Sequence, residues 1–339
     1  MLHLRLISPQ DRTDRVLGKL GDTAGVTNVV MLRAAAHTPP GDVIMCDVAR
    51  EAANEVLDEL RLLGLEDDGS IAVERVDLSL SAVAERAQDE APGEGDDAVV
   101  WEDLAGKVAN DCKMTWAYLV FLVIATQLAG IGVLLNSPIL IVGAMVLGPE
   151  FGAIAAICFG LLFRRGTLVM RASVSLVMGF AVAIAITLAC ALVSRWLGWI
   201  EPGMLTDNAE VQFIVKPDRW SFIVALLAGI AGVLSITAGK SSALVGVFIS
   251  VTTVPAAGYA AVTMALGKWD EVAGSAAQLG VNITGMIIAG TVTLFVQRLF
   301  WTRYRLPLPG LPAPAPAKAA ESSAASGGSP ETPPNAPRG

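Results

Sequence analysis

Two kinds of pattern divide the chain. Up to about residue 80, apolar residues alternate with polar ones or recur at helical spacing, and from Thr115 onward they form long uninterrupted runs. In the first part Leu2–Ser8, Val26–Ala35, Val43–Val48 and Ile71–Leu80 read as strands. Asp11–Leu20 and Glu51–Leu63 read as helices, the second with Val56, Leu57, Leu60 and Leu63 on one face. Thr38-Pro39-Pro40-Gly41 marks a turn. The order β-α-β-β-α-β predicts a small α+β, ferredoxin-like domain over 1–80, with helices on one face of an antiparallel sheet. Residues 81–113 follow as an acidic linker, Ser81–Asp97, and an amphipathic helix, Val99–Lys113. That helix either lies along a membrane surface or leads directly into the first long run.

Six runs are each long enough to cross a bilayer: Thr115–Leu135, Pro138–Phe163, Ala172–Val193, Ser221–Gly239, Ser241–Gly267 and Val272–Gln297. They predict an all-α membrane domain of six helices over 114–305. The remainder, 306–339, is rich in Pro, Ala and Ser and reads as a disordered tail. The second run contains Gly148-Pro149-Glu150. Proline lacks the helical donor, and its ring clashes with the carbonyl of Met145, so the helix should break near mid-depth beside a carboxylate. In the fifth run Thr252-Thr253-Val254-Pro255 sets two capping hydroxyls just ahead of a proline, as at a helix start.

These breaks belong to a wider pattern. Leu128-Ala129-Gly130-Ile131 recurs as Leu227-Ala228-Gly229-Ile230, Val142-Gly143 as Val245-Gly246, and Pro149-x-x-Gly152 as Pro255-x-x-Gly258, in the same order. Two copies, about 115–193 and 221–297, would hold three spans each. An odd number makes the copies inverted relative to each other, as in many transporters.

Charge assigns the sides. Residues 1–113 carry 11 Lys and Arg against 23 Asp and Glu, whereas residues 114–305 carry 11 against 7. The acidic balance therefore belongs to the head, and no basic stripe points to nucleic acid. Arg164, Arg165, Arg171 and Lys240 lie in loops on one side, with Arg298, Arg303 and Arg305 after the last run. The positive-inside rule places these, the head and the C-terminus in the cytoplasm of a multi-pass inner-membrane protein. The first 15 residues have no apolar core of the kind a signal peptide needs. Cys46, Cys112, Cys158 and Cys190 form no C-x-x-C pair and read as free thiols, with no metal site and no cofactor expected.

The candidate chemistry gathers at the breaks. An ionisable group inside a membrane needs a partner, a water-filled cavity or a proton, which singles out Glu150. Gly148, Pro149, Thr252, Thr253 and Pro255 shape the two breaks, and Gln127, Gln278 and Asn282 are polar residues at similar depth. The amides serve equally well as hydrogen bonds between helices. Half-helix N-termini pointing to mid-depth would attract an anion or orient a carboxylate. The resulting expectation is a transporter or channel-like carrier for a small solute or ion, with the head regulating it or holding a homo-oligomer together. The alternative is a non-transporting sensor or scaffold. No catalytic constellation accompanies Glu150, so no enzyme is expected.

The motifs Gly143–Gly152, with Gly-Ala-Met-x-x-x-Pro at its centre, and the segment 228–255, with Ala-Leu-Val-Gly-Val, resemble the domain-of-unknown-function-389 family of prokaryotic polytopic membrane proteins. The resemblance covers about Thr115 to Gln297. It implies a membrane domain with a soluble head or tail, and it implies little about mechanism.

Overall fold

The computed structural model describes residues 1–76, 79–91, 98–205, 219–238 and 253–303. The predicted Thr252, the linker centre and the tail lie outside them.

The head is built around β1 (Leu2–Ser8), whose alternate residues Leu2, Leu4 and Leu6 are buried. Then follow α1 (Thr13–Asp22), β2 (Val26–His37), β3 (Pro40–Val48), α2 (Ala53–Leu62), a single turn α3 (Leu65–Asp68) and β4 (Ser70–Arg75). The sheet order is β2-β3-β1-β4, antiparallel throughout, with Leu4 opposite both Cys46 and Val73. Period-two alternation turns one face of β1 and β3 toward Val16 and Leu20 of α1 and Val56, Leu57 and Leu60 of α2. One buried acid joins these layers. Asp42 accepts hydrogen bonds from the Ala34 amide at 2.7 Å and the Thr13 hydroxyl at 2.8 Å. The Ala34 amide first, then Thr13, hold its carboxyl below the usual range.

Two expectations for the head change. β4 stops at Arg75 rather than Leu80, because its partner β1 ends there, at Leu2 opposite Arg75. The stretch expected as linker contains a helix, α4 (Ala82–Glu90), capped by Ser81, whose hydroxyl accepts from the Ala84 amide. Its small face, Ala84 and Ala87, is buried.

Next come α5 (Trp101–Asp111), α6 (Trp116–Leu134), α7 (Pro138–Leu147), α8 (Phe151–Leu162), α9 (Gly166–Trp196), α10 (Arg219–Ala238), α11 (Val254–Leu266) and α12 (Trp269–Arg303). Four of these, α6, α9, α10 and α12, are long and apolar enough to cross a membrane, and α7 with α8 would make a fifth as one span bent by 51°. Of the expected fifth run only the part from Thr253 is described. There α11 is a shorter apolar helix of 13 residues. Four of these helices, α6, α8, α9 and α11, end on a left-handed residue, Asn136, Arg164, Gly198 or Gly267. In each case the next amide bonds the carbonyl five residues back, for example Arg165 to Gly160 at 2.8 Å.

Close contacts set the helix directions. α6, α9 and α11 run one way: a Cβ added at Gly179 would meet Tyr118 and Leu122, and one at Gly130 would meet Thr187 and Val262. α8, α10 and α12 run the other way. Cys158 Sγ donates to the Ile287 carbonyl, Gly229 meets the Met286 backbone, and Gln297 Nε2 donates to Thr237 Oγ1 at 2.9 Å.

α5 is separated from α6 by four residues, 112–115. It packs along α8, its buried stripe Leu104, Ala105 and Val108 joining the core that surrounds that helix. Trp101 meets Phe163 edge-on at 5.4 Å at one end. At the other, a Cβ added at Gly152 would stand 2.7 Å from Asp111 Cβ.

Candidate functional site: two helix N-termini joined by Glu150 and Thr253

Gly148 ends α7 in extended conformation, Pro149 follows, and Glu150 stands at the N-cap of α8. On the other side Thr253 stands at the N-cap of α11, with Pro255 in its first turn. The fold brings these two N-caps together. Thr253 Oγ1 donates to Glu150 Oε1 at 2.7 Å, and both residues are fully buried at 0% exposure. Thus two proline-marked helix starts, with N-caps 103 residues apart, meet at one hydrogen bond.

The first intrahelical bonds are Ile154 N to Glu150 O and Ala257 N to Thr253 O. The amides of Phe151, Gly152 and Ala153, and those of Val254 and Ala256, precede them and have no partner within their own helices. Both positive helix ends therefore point at the Glu150–Thr253 pair.

Two registers place α12 beside it. Tyr259 of α11 donates to Glu271 of α12. The two helices are antiparallel, so six residues back to Thr253 correspond to about residue 277. Cys158 of α8 reaches Ile287, and eight residues back to Glu150 correspond to about residue 279 of the parallel α12. Both counts converge on Gln278, which is 1% exposed and whose amide oxygen and nitrogen have no hydrogen-bond partner among the described residues. Asn282, one turn further along, is also fully buried.

Of the residues singled out from sequence, Gly148, Pro149, Glu150, Thr253 and Pro255 form the junction, and Gln278 and Asn282 share its level. Gln127 is half-buried on α6 and makes no side-chain hydrogen bond to the pair. Two contributors were missed. Tyr118 lies close enough to Glu150 to feel its charge, and its buried hydroxyl has no partner among the described residues. The signal for it was a lone phenol three residues after the helix cap Thr115, which accepts from the Tyr118 amide. Asp111 approaches through Gly152, two residues from Glu150. Among the described residues no group of three His, Cys, Asp or Glu is arranged to hold a metal.

The head is tied to this junction through α5. Asn54 donates to the Val99 carbonyl at 2.8 Å and accepts from the Trp101 amide at 3.2 Å. Arg61 of α2 bonds Glu102 at 2.6 Å, and that guanidinium holds the Glu102 carboxyl below its ordinary range. A cleft of about 660 Å³ lies at this joint, bordered by α1, α2, Trp101, Phe163 and Arg298.

No solved structure matches the chain. It is similar to "Uncharacterized protein MJ0678" of Methanocaldococcus jannaschii, at 25% identity over 168 residues, 50% of each chain. The chain therefore spans about half the length of that curated relative. Residues 145–288, from the end of α7 to the middle of α12 and including Pro149 and Pro255, match the family model described as Domain of unknown function (DUF389), so the family resemblance carried by the motifs is shown for this part of the chain.

Proposed function

We propose that this chain is a multi-pass carrier for a small solute or ion, with its site where the two helix N-termini meet. The observation that carries the reading is the buried Glu150–Thr253 hydrogen bond. A bundle that served only as an anchor would gain nothing from an interrupted helix with a buried carboxylate at its break, set against the start of a second helix.

Under this reading the chain is an inverted repeat. α6, α8 and α9 run opposite to α10, α11 and α12 in matching order. The contact of Gly130 with Thr187 and that of Gly229 with Met286 differ by 99 positions at both partners. α8 packs on α12 as α11 packs on α9. A carrier of this plan would sit in the inner membrane as a homo-oligomer, with head and C-terminus cytoplasmic and no catalytic role.

The test is uptake by liposomes holding the purified full chain, across inorganic anions, inorganic cations and neutral solutes. Uptake above protein-free liposomes, altered in Glu150→Gln and Thr253→Val while thermal stability is kept, is the expected result. No uptake in any class refutes it. The packing of α5 on α8 favours one second reading, a membrane sensor in which the head and bundle exchange a signal without transport. Head-dependent changes at Gly152 together with no uptake would select it.

A further inference from the structure

We propose that water reaches the junction from the end of the bundle opposite the head, as a file held on one face of α12, and that the carrier's solute enters by the same way. The proposal rests on the carrier reading above and adds the side from which its site opens.

One buried stripe of α12 changes chemistry at the level of the junction. Positions 275, 278, 282, 286 and 289 recur every three or four residues and so share one side of the helix. All five are buried. Ser275, Gln278 and Asn282 are polar, whereas Met286 and Ala289, and then Leu294, are apolar. A helix that only had to pack would not bury amides and a hydroxyl in one half of a stripe and none in the other. The head is fastened at the apolar end, where Trp101 meets Phe163 and Arg298 lies over the Phe163 ring. The polar end starts at Lys268 and Glu271, an ion pair about one-third exposed.

Gln278 identifies the occupant. Its amide oxygen and nitrogen are both buried with no hydrogen-bond partner among the described residues. Each costs free energy unless it is met. The oxygen needs a donor and the nitrogen an acceptor. A bare cation meets the first alone and a bare anion the second alone, whereas water meets both. The Ser275 hydroxyl donates to the Glu271 carbonyl at 2.9 Å and keeps lone pairs that accept. Glu271, Ser275, Gln278 and Asn282 follow one another by a turn of helix, roughly 5 Å, which is the span of one water bonded to both neighbours. Such a file delivers water to the level of Glu150 and Thr253, whatever else those two residues contact.

The other end is closed by packing. A Cβ added at Gly229 of α10 would stand 2.6 Å from the Met286 carbonyl oxygen, and one at Gly290 would stand 2.8 Å from Cys158 Sγ. The space between Leu104, Phe159, Val233 and Leu294 is about 10 Å³, no more than the minimum for a single water. Among the described residues lining it only Thr237 is polar, and its hydroxyl is already bonded to the Val233 carbonyl and to Gln297.

The experiment labels single cysteines in the full chain, in intact cells and in inverted vesicles. The probes are small impermeant methanethiosulfonates of either charge, with wild type as the baseline for the native cysteines. Ser275→Cys and Gln278→Cys should react from the side on which Leu62→Cys, exposed on the head, does not. Met286→Cys and Ala289→Cys should react from neither side. Modified Ser275→Cys should lose uptake in liposomes. A wild-type measurement keeps the test independent of how the variants fold. Hydroxyl radicals formed by radiolysis of water should oxidise Tyr259 and spare Met286, although the thioether is the more reactive group. Silence at 275 and 278 in folded variants, their reaction from the head's side, reaction at 286 or 289, or oxidation of Met286 without Tyr259 each overturns the route. Uptake that persists in that case leaves the carrier reading standing. Labelling as expected with no uptake of any solute class leaves the water file and overturns the carrier reading with its solute.

Discussion

Gly258 offers the sharpest stability test, because its surroundings cannot yield. A methyl added there would stand 2.8 Å from Ala129 Cβ, 2.8 Å from the Gly130 amide nitrogen and 2.9 Å from the Thr126 carbonyl oxygen. Two of these atoms are backbone, so no rotamer change clears them, and α11 must move away from α6. Overpacking of this kind costs about 1–3 kcal/mol, against which alanine returns about 0.5–1 kcal/mol of helix propensity. With three hard contacts the upper part of the range applies, and Gly258→Ala should lose about 2 kcal/mol net. Gly143→Ala and Gly280→Ala are the controls, since nothing lies within 4 Å of either added methyl. They should gain about 0.5–1 kcal/mol. Gly130→Ala should fall between, because its nearest neighbours are methyl ends of Val262 and Thr187. Denaturant unfolding of the purified variants in one detergent reads all four. The consequence reaches the site: Gly258 is five residues beyond Thr253, and a shift of α11 stretches the 2.7 Å bond to Glu150. A Gly258→Ala variant as stable as Gly143→Ala would refute the close approach of α6 and α11.

The other expectations concern the head and its attachment. Asp42 has a lowered carboxyl pKa in the folded head, so its stabilisation is complete above the ordinary carboxylate range and fades as pH falls through the lowered value. Acid-induced loss of amide protection in β3 should therefore weaken its pH dependence in Asp42→Asn, and an unchanged profile would contradict the assignment. Glu102→Gln should loosen α5 from the head by about 0.5–1 kcal/mol, the pair with Arg61 being about one-third exposed. Hydrogen exchange at residues 101–111 checks this, with no acceleration as the contrary result. For sidedness, Cys46 is unsuitable, since it is fully buried and burial first, then Asp47, push its thiol up to about 12. Leu62→Cys, at a position 87% exposed, should resist impermeant maleimide in intact cells and react after lysis. Reaction before lysis would reverse the orientation.

How much could be read beforehand depended on the range of the causes. Strands of the head follow from period-two alternation, which is local: β1 was legible to the residue, and β3 begins at Pro40, three residues before the expected Val43. The break at Pro149 and the helix start at Pro255 were legible because proline acts on its own helix. That Glu150 meets Thr253 was not, since the contact joins positions 103 apart and depends on helix directions. The placement of α5 was not legible for a different reason. Its stripe of Leu104, Ala105 and Val108 is satisfied equally by a membrane surface or by α8, and nothing within residues 99–113 distinguishes the two.

That ambiguity bears on how the head acts. The two Pro-x-x-Gly segments make equivalent close approaches, Gly258 to α6 and Gly152 to α5. On the repeat reading, the helix matching α6 in the other copy is α10, yet α10 touches α8 only slightly. The groove beside Gly152 is filled by α5 instead. The two halves therefore differ at the helix to which the head is fastened, and the difference lies two residues from Glu150. A helix held at one end by Asn54 and Arg61, and at the other by the backbone beside the break, transmits displacement along its length. Movement of the head on α5 must then change the spacing at Gly152. On the carrier reading proposed above, the half of the junction built by α8 would be the half within reach of the head, and the half built by α11 would be set by α6.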